Sequence, residues 1–195
     1  MARTSGSSFE TTASKVWTEA ARLFAQKGYA AVSMREIAQA VGVQAGALYT
    51  YTPDKQSLLF ALLERHMSEL LAQCPEFEAQ GDATDQLCDF VGFHIDFHLA
   101  RRDLVFLSYM ELRNLEEGNF AKIEALRHRY EAQLRGILDR GKSGGQFHIQ
   151  SAKVTSFAII GMMKELSTWY RTSGELSATE IKEMYLGLVA KMVGI

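Results

Sequence analysis

The chain has 195 residues, 47 % hydrophobic and 23 % charged, with a formal net charge of −2. That is enough chain to bury a sizeable core in one or two domains, and too little positive charge for a protein that coats nucleic acid along its whole length. The charge is uneven: residues 1–55 hold six Lys/Arg against four Asp/Glu, and residues 56–195 hold fifteen against nineteen, a slightly basic head on an acidic body.

Only two prolines, Pro53 and Pro75, interrupt the chain, which favours long helices. Cys74 and Cys88 form no close-spaced pair. Neither a disulfide framework nor a structural zinc site is therefore expected, and both read as buried, small apolar residues in a reducing compartment. The start, MARTSGSSFETT, has no apolar stretch of signal-peptide type. The longest apolar run, Phe157–Met163, is too short to cross a bilayer. A cytoplasmic location and no membrane partner are expected.

In chain order, Ala2–Ser8 is rich in Ser, Gly and Thr and reads as a disordered arm. A first helix is expected over Thr11–Lys27, because Ala13, Val16, Trp17, Ala20 and Phe24 fall on one face, with Gly28 as its stop. Ser33-Met34-Arg35-Glu36 reads as a capping box opening a short second helix that ends before Gly42. A third short helix spans about Gln44–Tyr51, and Thr52-Pro53-Asp54 breaks the chain, with Asp54 as the next cap. Longer helices follow over Asp54–Gln73, Thr84–Ala100, Asp103–Leu115, Phe120–Arg140, Gln150–Arg171 and Ala178–Val193. Gly118, Gly141, Gly144–Gly145 and Gly174 mark the joints. No stretch alternates with a period of two. The fold class is all-α, with about nine helices in two parts, a head over residues 1–55 and a body over 56–195.

Ala38, Gly42 and Leu48 describe two short helices at a sharp turn. The small residue lets the helices approach, the glycine takes the turn, and the apolar residue locks the pair. Ile37, Val41 and Val43 complete a small core. This is a helix-turn-helix, whose second helix lies in the DNA major groove.

The run AARLFAQKGYAAVSMREIAQAVGVQAGALYTYTPDKQSLL, within Val16–Leu63, resembles the DNA-binding domain of TetR-family regulators. The matching residues include Leu23-Phe24, Gly28-Tyr29, Ile37-Ala38, Gly42-Val43, Leu48-Tyr49 and Lys55. Two positions depart from it: an aromatic is usual at Thr52, and Ser or Thr at Gln44. The first departure is expected to loosen packing beneath the recognition helix, the second to alter base preference. The resemblance implies DNA contacts from Ser33, Arg35, Gln44, Ala45, Gly46, Tyr49, Thr50, Tyr51 and Lys55. Lys55, the Tyr51 hydroxyl and Ser33 suit phosphates, and Arg35 suits a phosphate or a base edge. Gln44 suits adenine, Ala45 suits a thymine methyl, and Gly46 leaves room for the duplex.

The body resembles the branch of this family that responds to acyl-CoA thioesters. Trp169-Tyr170-Arg171, Gly174 and Leu176-Ser177 with Glu180-Ile181 carry that likeness, although a proline is commoner at Thr172. An apolar acyl tail needs aromatic and flexible side chains. Phe90, Phe93, Phe97, Phe106, Tyr109 and Met110 are candidates, with Tyr130, Met162, Met163 and Trp169. Arg101, Arg102, Arg113, Arg127 and Arg171 are candidates for the CoA phosphates, and Trp169 suits its adenine. For any one of these residues, core packing or a solvated helix face is the competing reading. His94 and His98 share a helix face at metal-ligand spacing, but with no third ligand at fixed spacing a place in the core or the pocket is favoured.

Phe157, Ala158, Gly161 and Glu165, with Ile181, Met184, Tyr185, Leu188 and Met192, offer stripes for a homodimer through the last two helices. The expected function is thus a one-component transcription regulator, a repressor. It binds a palindromic DNA operator as a dimer and is released by a small apolar effector or acyl-CoA, with a drug- or metal-responsive repressor as the alternative. No catalytic motif is recognisable, so neither enzymatic activity nor a cofactor is expected.

Overall fold

The computed structural model describes residues 5–78 and 80–195. Among these there are ten α-helices, a 3-10 turn and no strand. The chain divides into two compact units. Residues up to His66, together with Asp103–Ile123, form the first; Met67–Arg102 and Glu124–Ile195 form the second. The sequence boundary after residue 55 falls in the first turn of the fourth helix.

In the first unit, α1 (Ser5–Lys27), α2 (Met34–Val41) and α3 (Ala45–Leu48) build the head. Of the arm expected over Ala2–Ser8, Ala2–Thr4 lie outside the described residues. Ser5–Ser8 are helical, so α1 starts earlier than Thr11. Val16, Ala20 and Phe24 are buried as the periodicity requires, joined by Leu23. Ser33 caps α2 by accepting from the Glu36 amide at 3.2 Å. The Glu36 carboxylate accepts from the Lys27 ammonium at 2.5 Å, and that contact, aided by a backbone hydrogen bond at Ser33, holds it below the usual carboxylate range against the opposing effect of desolvation. Gly42 ends α2 at φ +82°, and its amide and that of Val43 both return to the Ala38 carbonyl at 3.0 Å. A β-carbon at that φ is strained, so the glycine is what permits the turn.

Helix α4 (Lys55–Gln73) follows, and the Asp54 carboxylate accepts from the Ser57 amide at 2.6 Å. That bond lowers the Asp54 pKa. The cap therefore acts at neutral pH and is lost as pH falls through the lowered folded value. Leu58, Leu59, Leu62, Leu63, His66 and Leu70 are buried along the expected stripe. The first unit also contains all but the first residue of α6 (Arg102–Met110), a 3-10 turn (Leu112–Asn114) and the start of α7 (Glu117–Ser143).

The second unit contains α5 (Ala83–Leu99), most of α7, α8 (Ala152–Lys164), α9 (Leu166–Trp169) and α10 (Ala178–Val193). Asp82 caps α5 and accepts from the Thr84 and Asp85 amides. The helix expected over Gln150–Arg171 is two helices, broken at Glu165. Gly118 and Gly141 are not joints: both lie inside α7. A β-carbon on Gly141 would stand 2.1 Å from the Phe147 ring, so this glycine serves close packing. The joint is at Gly145, with φ +73°. The capping box that α2 forms on the serine side is complete at α10, between Ser177 and Glu180.

The cysteines differ. Cys74 is buried and donates to the Gln133 side-chain oxygen at 3.0 Å, and burial pushes its thiol up to about 12. Cys88 is exposed, contrary to expectation, because it lies on the outer face of α5. Thiol titration of the native protein should modify Cys88 alone, slowly near neutral pH and faster as pH rises, because partial burial and the neighbouring Asp85, Asp89 and Asp82 push its thiol pKa up, with Cys74 reacting only on unfolding. Two equally fast thiols would contradict this placement.

Candidate nucleic-acid interface and effector unit

Helix α3 is shorter than the segment Gln44–Tyr51 predicted from sequence. Its α-helical turn is Ala45–Leu48, and the Thr50 and Tyr51 amides continue it with three-residue bonds to Ala47 and Leu48. Leu48 is fully buried and anchors this turn to the head. Gln44, Ala45, Gly46, Tyr49 and Thr50 are all exposed. Tyr49 is 55 % exposed, which excludes a core role for its ring. Thr50 satisfies its own hydroxyl on the Ala47 carbonyl at 2.7 Å. Arg35 is exposed on α2, and a shallow groove runs between the two helices, lined by Arg35, Ala38, Gln39, Val43, Gln44 and Ala45. A β-carbon on Gly46 meets nothing within 4 Å, so nothing inside the head requires a glycine there.

Three neighbours of this turn have internal partners. Ser33 is exposed, and its hydroxyl oxygen caps α2 while its hydrogen remains able to donate. Tyr51 stacks on Phe9 of α1, with centroids 4.7 Å apart. Phe9 escaped the sequence reading because the helix was started too late. Lys55 turns into the head: its ammonium donates to the Tyr29 and Val32 carbonyls at 3.0 and 2.9 Å and lies 4.3 Å from the Tyr29 ring centroid. Thr52 is buried rather than a loosening point, because its hydroxyl donates to the Asp54 carbonyl at 3.0 Å.

In the second unit, aromatic and histidine rings gather on α5 and α7. Phe90 stacks on Tyr130 at 5.1 Å, and Tyr130 shares a 3.0 Å hydrogen bond with Nδ1 of His94. His94 and His98 are buried and stacked at 3.7 Å. His98 Nδ1 donates to the His94 carbonyl at 2.8 Å. Among the described residues no group of three or more His, Cys, Asp and Glu could hold a metal ion. Phe97 is buried and carries the Arg101 guanidinium 3.9 Å from its ring centroid, and Phe93 lies beside it at 5.6 Å. Met163 is buried and Met162 partly so. Trp169 is 48 % exposed. Arg171 is exposed and donates to the Thr168 and Tyr170 carbonyls, both at 2.9 Å, closing the end of α9. Phe106, Tyr109, Met110 and Arg113 belong to the first unit; Met110 and Arg113 are exposed there and the other two are partly buried.

On α8, Val154, Phe157, Ala158, Gly161 and Glu165 are exposed at helical spacing. Met184, Leu188 and Met192 form a second exposed stripe on α10. Ile181 and Tyr185, placed on that stripe from sequence, are instead buried at 1 % and 8 % exposure, because they lie on the face of α10 turned toward the unit's own core.

A short capped helix presenting one exposed helical turn defines a helix-turn-helix regulator head on a helical body. The sequence pattern described as "Bacterial regulatory proteins, tetR family" matches residues 18–62, and that described as "Tetracyclin repressor-like, C-terminal domain" matches residues 80–193. The chain belongs to the TetR family of transcription regulators. It is 26 % identical to the HTH-type transcriptional repressor KstR2 of Rhodococcus jostii over 173 residues, 87 % of this chain and 85 % of that one. It is similar in structure to a tetR-family regulatory protein from Rhodococcus RHA1, with a TM-score of 0.87, 28 % identity, and 93 % and 96 % of the two chains covered. AibR, solved in complex with isovaleryl coenzyme A and operator DNA, has the same fold, with a TM-score of 0.81 at 23 % identity over 93 % and 98 % of the two chains. No helix among the described residues is long and apolar enough to cross a membrane.

Proposed function

We propose that this regulator is a repressor that binds a palindromic operator as a homodimer and leaves it when a small apolar effector, an acyl-CoA thioester, binds the body. The head over residues 1–55 supplies the DNA contacts, and residues 56–195 supply the effector site and the dimer. The observation that carries this reading is the α3 turn. Its single buried side chain, Leu48, anchors it, and everything else on it that can reach a base edge faces outward.

Gln44, Ala45 and Tyr49 then meet base edges, with Gly46 letting the protein backbone approach the duplex closely, and Arg35 and Thr50 flank them. Ser33 and Tyr51 donate to phosphates. Lys55, with two ammonium hydrogens committed internally, gives its third to a phosphate. The acyl-CoA reading draws support from the ring cluster of Phe90, His94 and Tyr130, and from the AibR complex of the same fold. The dimer reading draws support from the exposed apolar stripes of α8 and α10. The cellular location that suits this work is the cytoplasm.

The test is binding to a duplex selected in vitro from a random pool. Tyr49→Ala and Gln44→Ala should each weaken binding by about 1–3 kcal/mol, roughly five- to 150-fold. Both residues are exposed, so thermal stability should stay within about 0.5 kcal/mol of wild type. Unchanged affinity in both variants contradicts the interface. Isovaleryl-CoA and longer acyl-CoAs, added to the complex, should release the duplex. Affinity unchanged by the whole series contradicts the effector reading and leaves the DNA contacts standing.

A further inference from the structure

The turn between α1 and α2 is held by residues distant in sequence. Gly28 takes φ +82°, and the next residue, Tyr29, has both its backbone polar groups bound to charged side chains. Its amide donates to Oε1 of Glu111 at 3.2 Å, and its carbonyl accepts from the Lys55 ammonium at 3.0 Å. Glu111 stands at the bend between α6 and the 3-10 turn and is only 8 % exposed. Its other oxygen accepts from the Asn114 side-chain amide, and the Asn114 carbonyl accepts from Gln56 Nε2 at 2.8 Å. Sequence reading singled out Lys55 for DNA and passed over Glu111 altogether.

A carboxylate this buried is costly unless its lone pairs are used. The distinctive feature is where the carboxylate comes from. The chain enters α2 through this turn, and α4 leaves from Lys55, so one backbone residue ties the starts of both helices to the corner between α6 and α7. The corner and the head also belong to one compact unit.

We infer that Glu111 is a positioning residue for DNA binding: its carboxylate latches the α6–α7 corner to the α1–α2 turn, so that corner and head move as one body. The consequence is that the part displaced by an effector is larger than the helix-turn-helix. The latch sets the direction in which α2 presents the α3 turn without touching the duplex. This inference rests on the head being the DNA-binding part.

Two variants and two readouts test it. Glu111→Gln keeps the shape and loses the charge; Glu111→Ala removes the acceptor. Hydrogen exchange at the Tyr29 amide should accelerate about tenfold or more in both, while the amides of the α7 core around Leu134 keep wild-type rates. Affinity for the in vitro-selected duplex should fall about tenfold, with an unchanged salt slope because no phosphate contact is lost. The sign is diagnostic. Removing a negative charge from a DNA-binding unit by itself strengthens binding, so equal or tighter affinity overturns the latch. Wild-type exchange at Tyr29 in a folded Glu111→Gln overturns it as well. If Glu111→Ala does not fold, Glu111→Gln decides. If the wild type binds no selected duplex, the DNA reading fails, and exchange at Tyr29 alone judges the latch.

Discussion

Leu188→Glu is expected to leave the protein folded and monomeric, and to lower operator affinity by about 100-fold or more. Leu188 is 47 % exposed on α10, between Met184 and Met192 one turn away on either side. A carboxylate there stays hydrated in a free subunit, so the core loses little. In a paired face, the same group meets its symmetry mate across an apolar seam and loses its water. Phe157→Glu on α8 should behave in the same way, since its ring is 49 % exposed. The affinity loss follows from valency. Two linked heads on two half-sites gain about 10²–10⁴ over one head, and a monomer forfeits that gain. Sedimentation velocity and duplex titration of the same preparations measure both effects. A dimer surviving in both variants refutes the assignment of the seam to α8 and α10.

The second large effect is expected at Leu48. Leu48→Ala should cost about 2–5 kcal/mol of stability, because it removes a fully buried side chain and leaves a cavity. Few residues compensate, since α3 is a single α-helical turn with no side-chain cap at Gln44. The head should therefore lose its α3 turn under conditions where α5, α8 and α10 remain folded, and duplex binding should disappear with it. Denaturant unfolding followed by far-ultraviolet circular dichroism, and by exchange in Ala45–Leu48, separates the two. A loss below about 1 kcal/mol means that Leu48 does not anchor the turn. The contrast with Tyr49→Ala is instructive: neighbouring residues on one turn are predicted to fail in opposite ways, one in stability and one in binding.

Much of the head was legible from residue spacing. Ser33, Gly42 and Asp54 act where a hydroxyl, a glycine and a carboxylate are chemically required, and each acts on backbone groups within four residues of itself. Such local chemistry needs no knowledge of the rest of the fold. The periodicity of α4 likewise named its buried stripe correctly. Spacing did less well where two patterns were compatible with one helix. On α10, Ile181, Met184, Tyr185 and Leu188 are all apolar, and only the packing of α10 beside α5 and α8 decided that the first and third turn inward.

What the sequence by itself determined is the helical architecture, the capped second helix of the head, and the family, because each depends on interactions between residues near one another along the chain. What only the tertiary structure decided is where long charged and aromatic side chains end. Lys55 turns to Tyr29, Phe9 to Tyr51, and Glu111 to the α1–α2 turn, 82 residues away along the chain. The physical reason is that a side chain of this length has many rotamers of similar energy, and the acceptor that selects one of them is supplied by a segment distant in sequence.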